Sequence, residues 1–163
     1  MFTYLHNSYN TLNMFYMENG NHILSQEGVT QGDNAAMAMY ALSTGPLIQA
    51  LINATANDEV KQVWYADNSS AVGSLAGVKK WWEYQQAKGP DFGYCPKPAK
   101  TILLIKDSGL MQSTQKLFTN QGIKITHQGE CLLGSVIGTE SFREQYITNK
   151  VEGWVKDLQL LSK

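Results

Sequence analysis

The feature that most limits how this chain can fold is the run Val63-Trp64-Tyr65-Ala66-Asp67-Asn68, which flows directly into Ser69-Ser70-Ala71-Val72. β-Branched and aromatic residues favour extended backbone, and Asp-Asn is a pair that tolerates the positive φ of a tight turn. The run therefore reads as two strands meeting at Asp67-Asn68, with a carboxylate at the tip. Two paired strands hold such a carboxylate in place, as a divalent ion or a phosphate-handling site requires of a ligand. Asp and Asn are also ordinary turn formers, so the dipeptide alone does not establish a site.

Elements on either side can be read from turn and cap signals. Met14-Phe15-Tyr16-Met17 and His22-Ile23-Leu24 flank Glu18-Asn19-Gly20-Asn21, and Asn-Gly between apolar runs marks a β-hairpin. The first dozen residues show no clean period and read as irregular or weakly helical. Residues 34–42 are rich in helix formers, with Asp33 or Asn34 available as a cap. Gly45-Pro46 predicts a kink or a fresh first turn before Leu47, Ile48, Leu51 and Ile52 continue the apolar face. Met37 and Met39 read as core filler.

Ser74 is placed to cap a helix over residues 75–88, where Leu75, Val78, Trp81 and Trp82 form one stripe that stops at Gly89-Pro90. The tryptophan pair could stack on bases, but its helical spacing with Val78 favours packing against a sheet. Residues 100–106 read as a buried strand bracketed by Lys100 and Lys106. A short helix over residues 108–120 follows, with Leu110, Leu117 and Phe118 inward. Residues 123–126 and 131–137 read as a second hairpin around Gln128-Gly129. Thr139 then caps a long helix in which Phe142, Tyr146 or Ile147, Val151, Trp154, Val155, Leu158 and Leu161 recur. The resulting fold class is α+β: one antiparallel sheet with helices on one face, in a single domain spanning residues 1–163.

Four segments, in order, resemble the palm of reverse transcriptases encoded by retroelements. Gly28-Val29-Thr30-Gln31-Gly32-Asp33 is similar to the family's B motif, GxxQGDP, with Asn34 in the place of proline. Tyr65-Ala66-Asp67-Asn68 is similar to the C motif, YxDD. Lys100 falls where the D motif carries a lysine, and Cys131-Leu132-Leu133-Gly134 resembles the short E motif. The resemblance covers nearly the whole chain from the B motif onward and implies a partial polymerase palm.

By that resemblance, Gln31 and Gly32 would lie near the nascent base pair and incoming nucleotide, and Tyr65 and Ala66 near the primer end. Lys100 would sit by the leaving pyrophosphate, where an ammonium neutralises charge or supplies a proton. Its plain alternative is a solvated lysine at a strand start. Leu133 and Gly134 would support the primer. The expected partners are an RNA template and a DNA primer, with no membrane, and the parent cofactor is Mg²⁺. Such enzymes use two ions roughly 3.5–4 Å apart, held by converging carboxylates. Asp67 matches the first aspartate of the turn, whereas Asn68 replaces the second with a neutral, weak ligand.

No segment of residues 1–32 reads as an A motif, so the palm is expected to be truncated at its N-terminal side relative to the family. The expectation is a degenerate reverse-transcriptase fragment, inactive alone. The alternatives are a non-catalytic nucleic-acid-binding or interaction module that keeps the palm shape, and an enzyme completed by a polypeptide supplying the missing strand. A net charge of −1 counts against strong polyanion binding. Charged residues make up 17%, below the quarter or so usual in soluble proteins, which leaves much neutral surface. Cys95 and Cys131, with no metal-ligand spacing, are expected to be reduced and buried. With no run of about eighteen apolar residues and no leader pattern, an intracellular setting, cytoplasmic or nuclear, is expected.

Overall fold

The computed structural model describes residues 13–25 and 33–162, together with Thr3, His6, Tyr9 and Asn10. The chain folds as a mixed α/β structure. Its elements run β1 (Asn13–Tyr16), β2 (His22–Ser25), α1 (Ala36–Ala54), β3 (Lys61–Tyr65), β4 (Asn68–Val72), α2 (Leu75–Lys88), β5 (Ile102–Leu104), α3 (Met111–Leu117), β6 (Lys124–Thr126), β7 (Gly129–Leu132), β8 (Ser135–Gly138) and α4 (Glu140–Leu161).

The expected single antiparallel sheet is not formed among the described residues. The strands make four separate pairs: β1–β2, β3–β4 and β7–β8 are antiparallel, whereas β5–β6 is parallel. Each antiparallel pair is a local hairpin. The β1–β2 turn uses Gly20 at φ +80° and is closed by the Gly20 amide on the Met17 carbonyl at 2.9 Å. Near the start of the chain, the Asn10 amide donates to the His6 carbonyl at 2.9 Å, a helical-type bond in keeping with the weakly helical reading.

Asp33 leads into α1 by accepting from the Ala35 amide at 2.7 Å, while its second carboxylate oxygen accepts from the Tyr9 hydroxyl at 2.7 Å. α1 then runs through Gly45-Pro46 without a fresh start. Proline at position 46 withholds an N–H from the carbonyl of Leu42. Leu42 lies on the exposed face, where water can serve instead. Met37 is exposed, not core filler, because the buried stripe of this helix begins only at Thr44 and continues with Leu47 and Leu51.

The core is formed by Leu47 and Leu51 of α1, Trp81 and Trp82 of α2, and Phe118 just beyond α3, with Val60, Trp64, Ala71, Leu103, Ile123 and Ile125 packed around them. Ser74 caps α2 as expected, accepting from the Gly77 amide at 3.1 Å. Glycine inside a helix destabilises it by about 1 kcal/mol relative to alanine. Here it has a reason: a Cβ on Gly77 would stand 2.8 Å from Val60 Cγ2 and 2.9 Å from Asp58 Cβ. Its absence lets α2 press against the chain entering β3.

A partly buried polar side chain reaches into these apolar groups. The Gln62 side-chain carbonyl accepts from the indole N–H of Trp81 at 2.8 Å and from that of Trp64 at 3.0 Å. Its amide donates to the Ile48 backbone carbonyl at 3.2 Å. A single side chain thus joins α1, β3 and α2. Trp82 finds a separate acceptor in Gln121 at 3.1 Å. Trp81 and Trp82 are packing residues with satisfied indoles, not an open stacking platform.

Beyond α2 the sequence expectations need several corrections. Residues 123–126 do not form a hairpin with residues 131–137. β6 pairs in parallel with β5 across α3, and the Ile105 amide extends that ladder to the Thr126 carbonyl at 2.9 Å. The hairpin turn lies instead at Leu133-Gly134, with φ +49° and +82°. Leu110 and Leu117 are exposed, and Thr114 is the buried residue of α3. Cys95 and Cys131 are free thiols, and both are exposed. Lys124 bonds Glu130, tying β6 to β7; that bond first, then the Cys131 amide, holds the Glu130 carboxyl below its ordinary range.

α4 starts as expected, with Thr139 Oγ1 accepting from the Phe142 amide at 3.3 Å. Its first turn docks on β7 and β8, the Phe142 ring occupying the place a Cβ on Gly129 would take. No residue of this helix is buried. No helix among the described residues is long and apolar enough to cross a membrane.

Gln62→Leu is expected to lower the unfolding free energy by about 2–4 kcal/mol, because two largely buried indole donors lose their acceptor at once. Trp81→Phe, which removes one donor and orphans none, is expected to lower it by less. Chemical denaturation of the two variants checks the order.

Candidate functional site

The β3–β4 hairpin is joined by two residues, Ala66 and Asp67, with Tyr65 opposite Asn68. The residue at positive φ is Ala66, at +50°, and not the Asp67-Asn68 pair. Asn68 is already the first residue of β4. A positive φ at only the first turn residue is the pattern of a II′ turn, which usually takes glycine there; alanine adopts it at some strain. Asp67 therefore does stand at a hairpin tip, and its side chain is exposed. Tyr65 is exposed as well, at 63%.

The tip is held by a polar relay from the core. Gln85, buried on α2, donates to Ser69 Oγ at 2.8 Å. Ser69 and the Tyr94 hydroxyl are 2.9 Å apart, and the Tyr94 hydroxyl donates to the Asp67 backbone carbonyl at 3.1 Å. With Tyr94 donating onward, Ser69 must be the donor to Tyr94, so every proton in the relay runs outward from α2 to the tip. The Tyr94 ring meets Trp64 edge-on with centroids 5.0 Å apart. Gly89 makes this placement possible: its carbonyl accepts the Tyr94 amide at 2.9 Å, and a Cβ there would collide with the Tyr94 carbonyl.

Around the tip the electrostatics bring in α1. Burial first, then the neighbouring Tyr94 and Asp67, push the Tyr40 phenol above its ordinary pKa. Tyr40 is on the first turns of α1, the helix that follows segment 28–33 in sequence, so the charge of Asp67 is felt on that helix. Burial and the two neighbouring groups alike favour the neutral form of the phenol.

The remaining expected site residues are distributed differently. Gln31 and Gly32 lie outside the described residues. Lys100 ends a 3-10 turn over Pro98–Lys100 ahead of β5; it is exposed and makes no ion pair within 4 Å among the described residues. It is thus not the first residue of a strand. Leu133 and Gly134 form the exposed turn of the β7–β8 hairpin.

Asn68 Nδ2 donates to Asp67 Oδ1 at 3.3 Å, so the amide turns a hydrogen, not its oxygen, towards the carboxylate. Among the described residues no three His, Cys, Asp or Glu side chains come together to hold an ion. One carboxylate and a donating amide do not fit a pair of dications.

Reading the sequence missed Tyr94, Ser69, Gln85 and Tyr40. Gln85 alone left a trace, as a polar residue four positions beyond Trp81 on the buried face of α2. Comparison with known protein families, characterised proteins and solved structures finds no match to this chain.

Asp67→Asn is expected to lower the Tyr40 pKa towards its ordinary value without restoring it, since burial, the larger cause, remains. An NMR pH titration of the tyrosine ring carbons checks this. No change in Tyr40 would separate the hairpin tip from α1.

Proposed function

We propose that this chain is a degenerate reverse-transcriptase palm segment that keeps the layout of a nucleotide-handling centre without its chemistry. The observation that supports the reading best is the placement of Asp67, the carboxylate matching the YxDD motif, at the tip of the two-residue β3–β4 hairpin, tied back to α2 through Tyr94, Ser69 and Gln85. Its charge also helps raise the pKa of Tyr40, on the helix that directly follows the segment resembling GxxQGD, although some thirty residues separate the two in the chain. In the parent family those two motifs act together on the incoming nucleotide and the primer end. On this reading Gln31, Gly32, Tyr65 and Ala66 correspond to nucleotide-binding positions, Leu133 and Gly134 to primer support, and Lys100 to the lysine near the leaving pyrophosphate.

The charge needed for nucleotidyl transfer is not assembled here. Mg²⁺ in the parent family would activate the primer hydroxyl and hold the triphosphate. This chain offers Asp67, with Asn68 turned to donate to it, and each neutral replacement removes part of the charge that offsets two dications. The RNA template and DNA primer of the parent reaction would meet, in this chain, a net charge of −1.

The purified chain is expected to extend no RNA-templated DNA primer with Mg²⁺ or Mn²⁺ above the level of an Asp67→Ala control. Template-dependent incorporation above that control would overturn the proposal. A salt-dependent anisotropy shift of a labelled RNA–DNA hybrid, without incorporation, would favour the binding module that keeps the palm shape.

A further inference from the structure

α4 presents an apolar stripe that its own chain leaves uncovered. Ile147, Val151, Trp154, Leu158 and Leu161 follow one another at alternating spacings of four and three, the seam of a heptad repeat. Trp154 is 62% exposed and Leu158 66%. Only Phe142, Tyr146 and Gly153 of this helix are even partly covered, so the stripe is free of the body that carries it. A contiguous row of this kind, with an indole at its centre, is an interaction surface and not scattered surface apolarity.

The flanking charges identify the occupant. With the seam residues at heptad positions d, a, d, a and d, Lys150 and Asp157 both fall at position g, one heptad apart and opposite in sign. In an antiparallel two-stranded pair, position g faces position g of the other helix; in a parallel pair it faces position e. Laid antiparallel about a two-fold between residues 152 and 153, the seam puts Val151 opposite Trp154 and Ile147 opposite Leu158 of a second copy. In that same register Lys150 and Asp157 of the second copy flank the seam on the same edge, two residues or about 3 Å apart along the axis and within reach of each other, and the reverse pair is equivalent. In a parallel pair the two charges would meet Val155 and Ser162 and go unused. Neither Lys150 nor Asp157 makes an ion pair among the described residues. Lys150 lies only against the Tyr146 ring, 5.9 Å from its centroid.

We propose that α4 is a self-association element which pairs antiparallel with α4 of a second copy of this chain, giving an isologous dimer. One patch serves both subunits, and the self-complementary Lys150 and Asp157 fix the direction of the pair. The inference is independent of the polymerase reading, since it uses no residue of the hairpin tip.

The test is sedimentation of the whole chain from about 1 μM to about 1 mM, the range that covers weak to moderate association. The expected mass moves from 18.2 kDa towards twice that value as concentration rises. Trp154→Glu, at an exposed position, should leave the circular dichroism unchanged and hold the chain monomeric. Lys150→Asp places like charges together twice and should weaken the dimer roughly tenfold. Adding Asp157→Lys to it should restore the original affinity. A chain that stays monomeric throughout overturns the proposal, as does a dimer that survives Trp154→Glu. A dimer indifferent to Lys150→Asp, or not rescued by the double exchange, overturns the antiparallel arrangement.

Discussion

The side chain of Gln62 is the interaction on which the arrangement of this molecule turns. An amide oxygen has two lone pairs, and both are used here, by the indoles of Trp81 and Trp64. The N–H₂ group reaches the Ile48 carbonyl. β3 is thereby fixed in place between α1 and α2, since moving it in either direction would leave a buried donor or acceptor without its partner. The apolar contacts of Leu47, Leu51, Trp81 and Trp82 supply most of the favourable burial, but they are tolerant of small slips. The amide is not. Gly77 adds the geometric half of the constraint by letting α2 approach Val60 more closely than any side chain would permit.

From that fixed strand the rest of the site follows by short steps. Two residues beyond Trp64 the chain turns at Ala66-Asp67, and the relay from Gln85 through Ser69 and Tyr94 ties the tip back to the same helix that Gln62 holds. Asp67 is held by its backbone carbonyl, while its exposed carboxylate accepts from the neighbouring Asn68 amide. A fixed, exposed acid of this kind suits recognition of a polar ligand; metal-assisted transfer would need more negative charge than the turn supplies. Apolar side chains also stay exposed away from the core, on both faces of the β1–β2 hairpin and along α4. The low charged fraction of the sequence is thus expressed as uncovered apolar surface, not as a larger core.

How much of this could be read beforehand depended on whether the signal was local. The β3–β4 hairpin was legible because Val63, Trp64 and Tyr65 favour extension and a turn former follows at once. α2 was legible because Ser74, the tryptophan stripe and Gly89-Pro90 mark its start, face and end. The two-residue turns were misplaced, since Ala66 and Leu133 sit at positive φ that their side chains disfavour, and no sequence rule assigns them there. The parallel β5–β6 pair escaped because three-residue strands carry no period, and Gln128-Gly129 offered a turn nearer at hand. The apolar recurrence of α4 was legible, but not that it stays uncovered, because periodicity reports a face and not what covers it. In the site, Asp67 at a tip was foreseen, whereas its link to Tyr94 and its closeness to Tyr40 join residues remote in sequence and left no local mark.

Hydrogen exchange at the four indole N–H groups tests the central claim most directly, because two of them share Gln62, a third bonds Gln121 and the fourth is exposed. Trp64 and Trp81 on Gln62, and Trp82 on Gln121, are predicted to exchange slowly, and Trp154, exposed on α4, at close to the free rate at low concentration. Rapid exchange at Trp64 and Trp81 together would mean that Gln62 does not hold them, and the placement of the hairpin tip would fall with it.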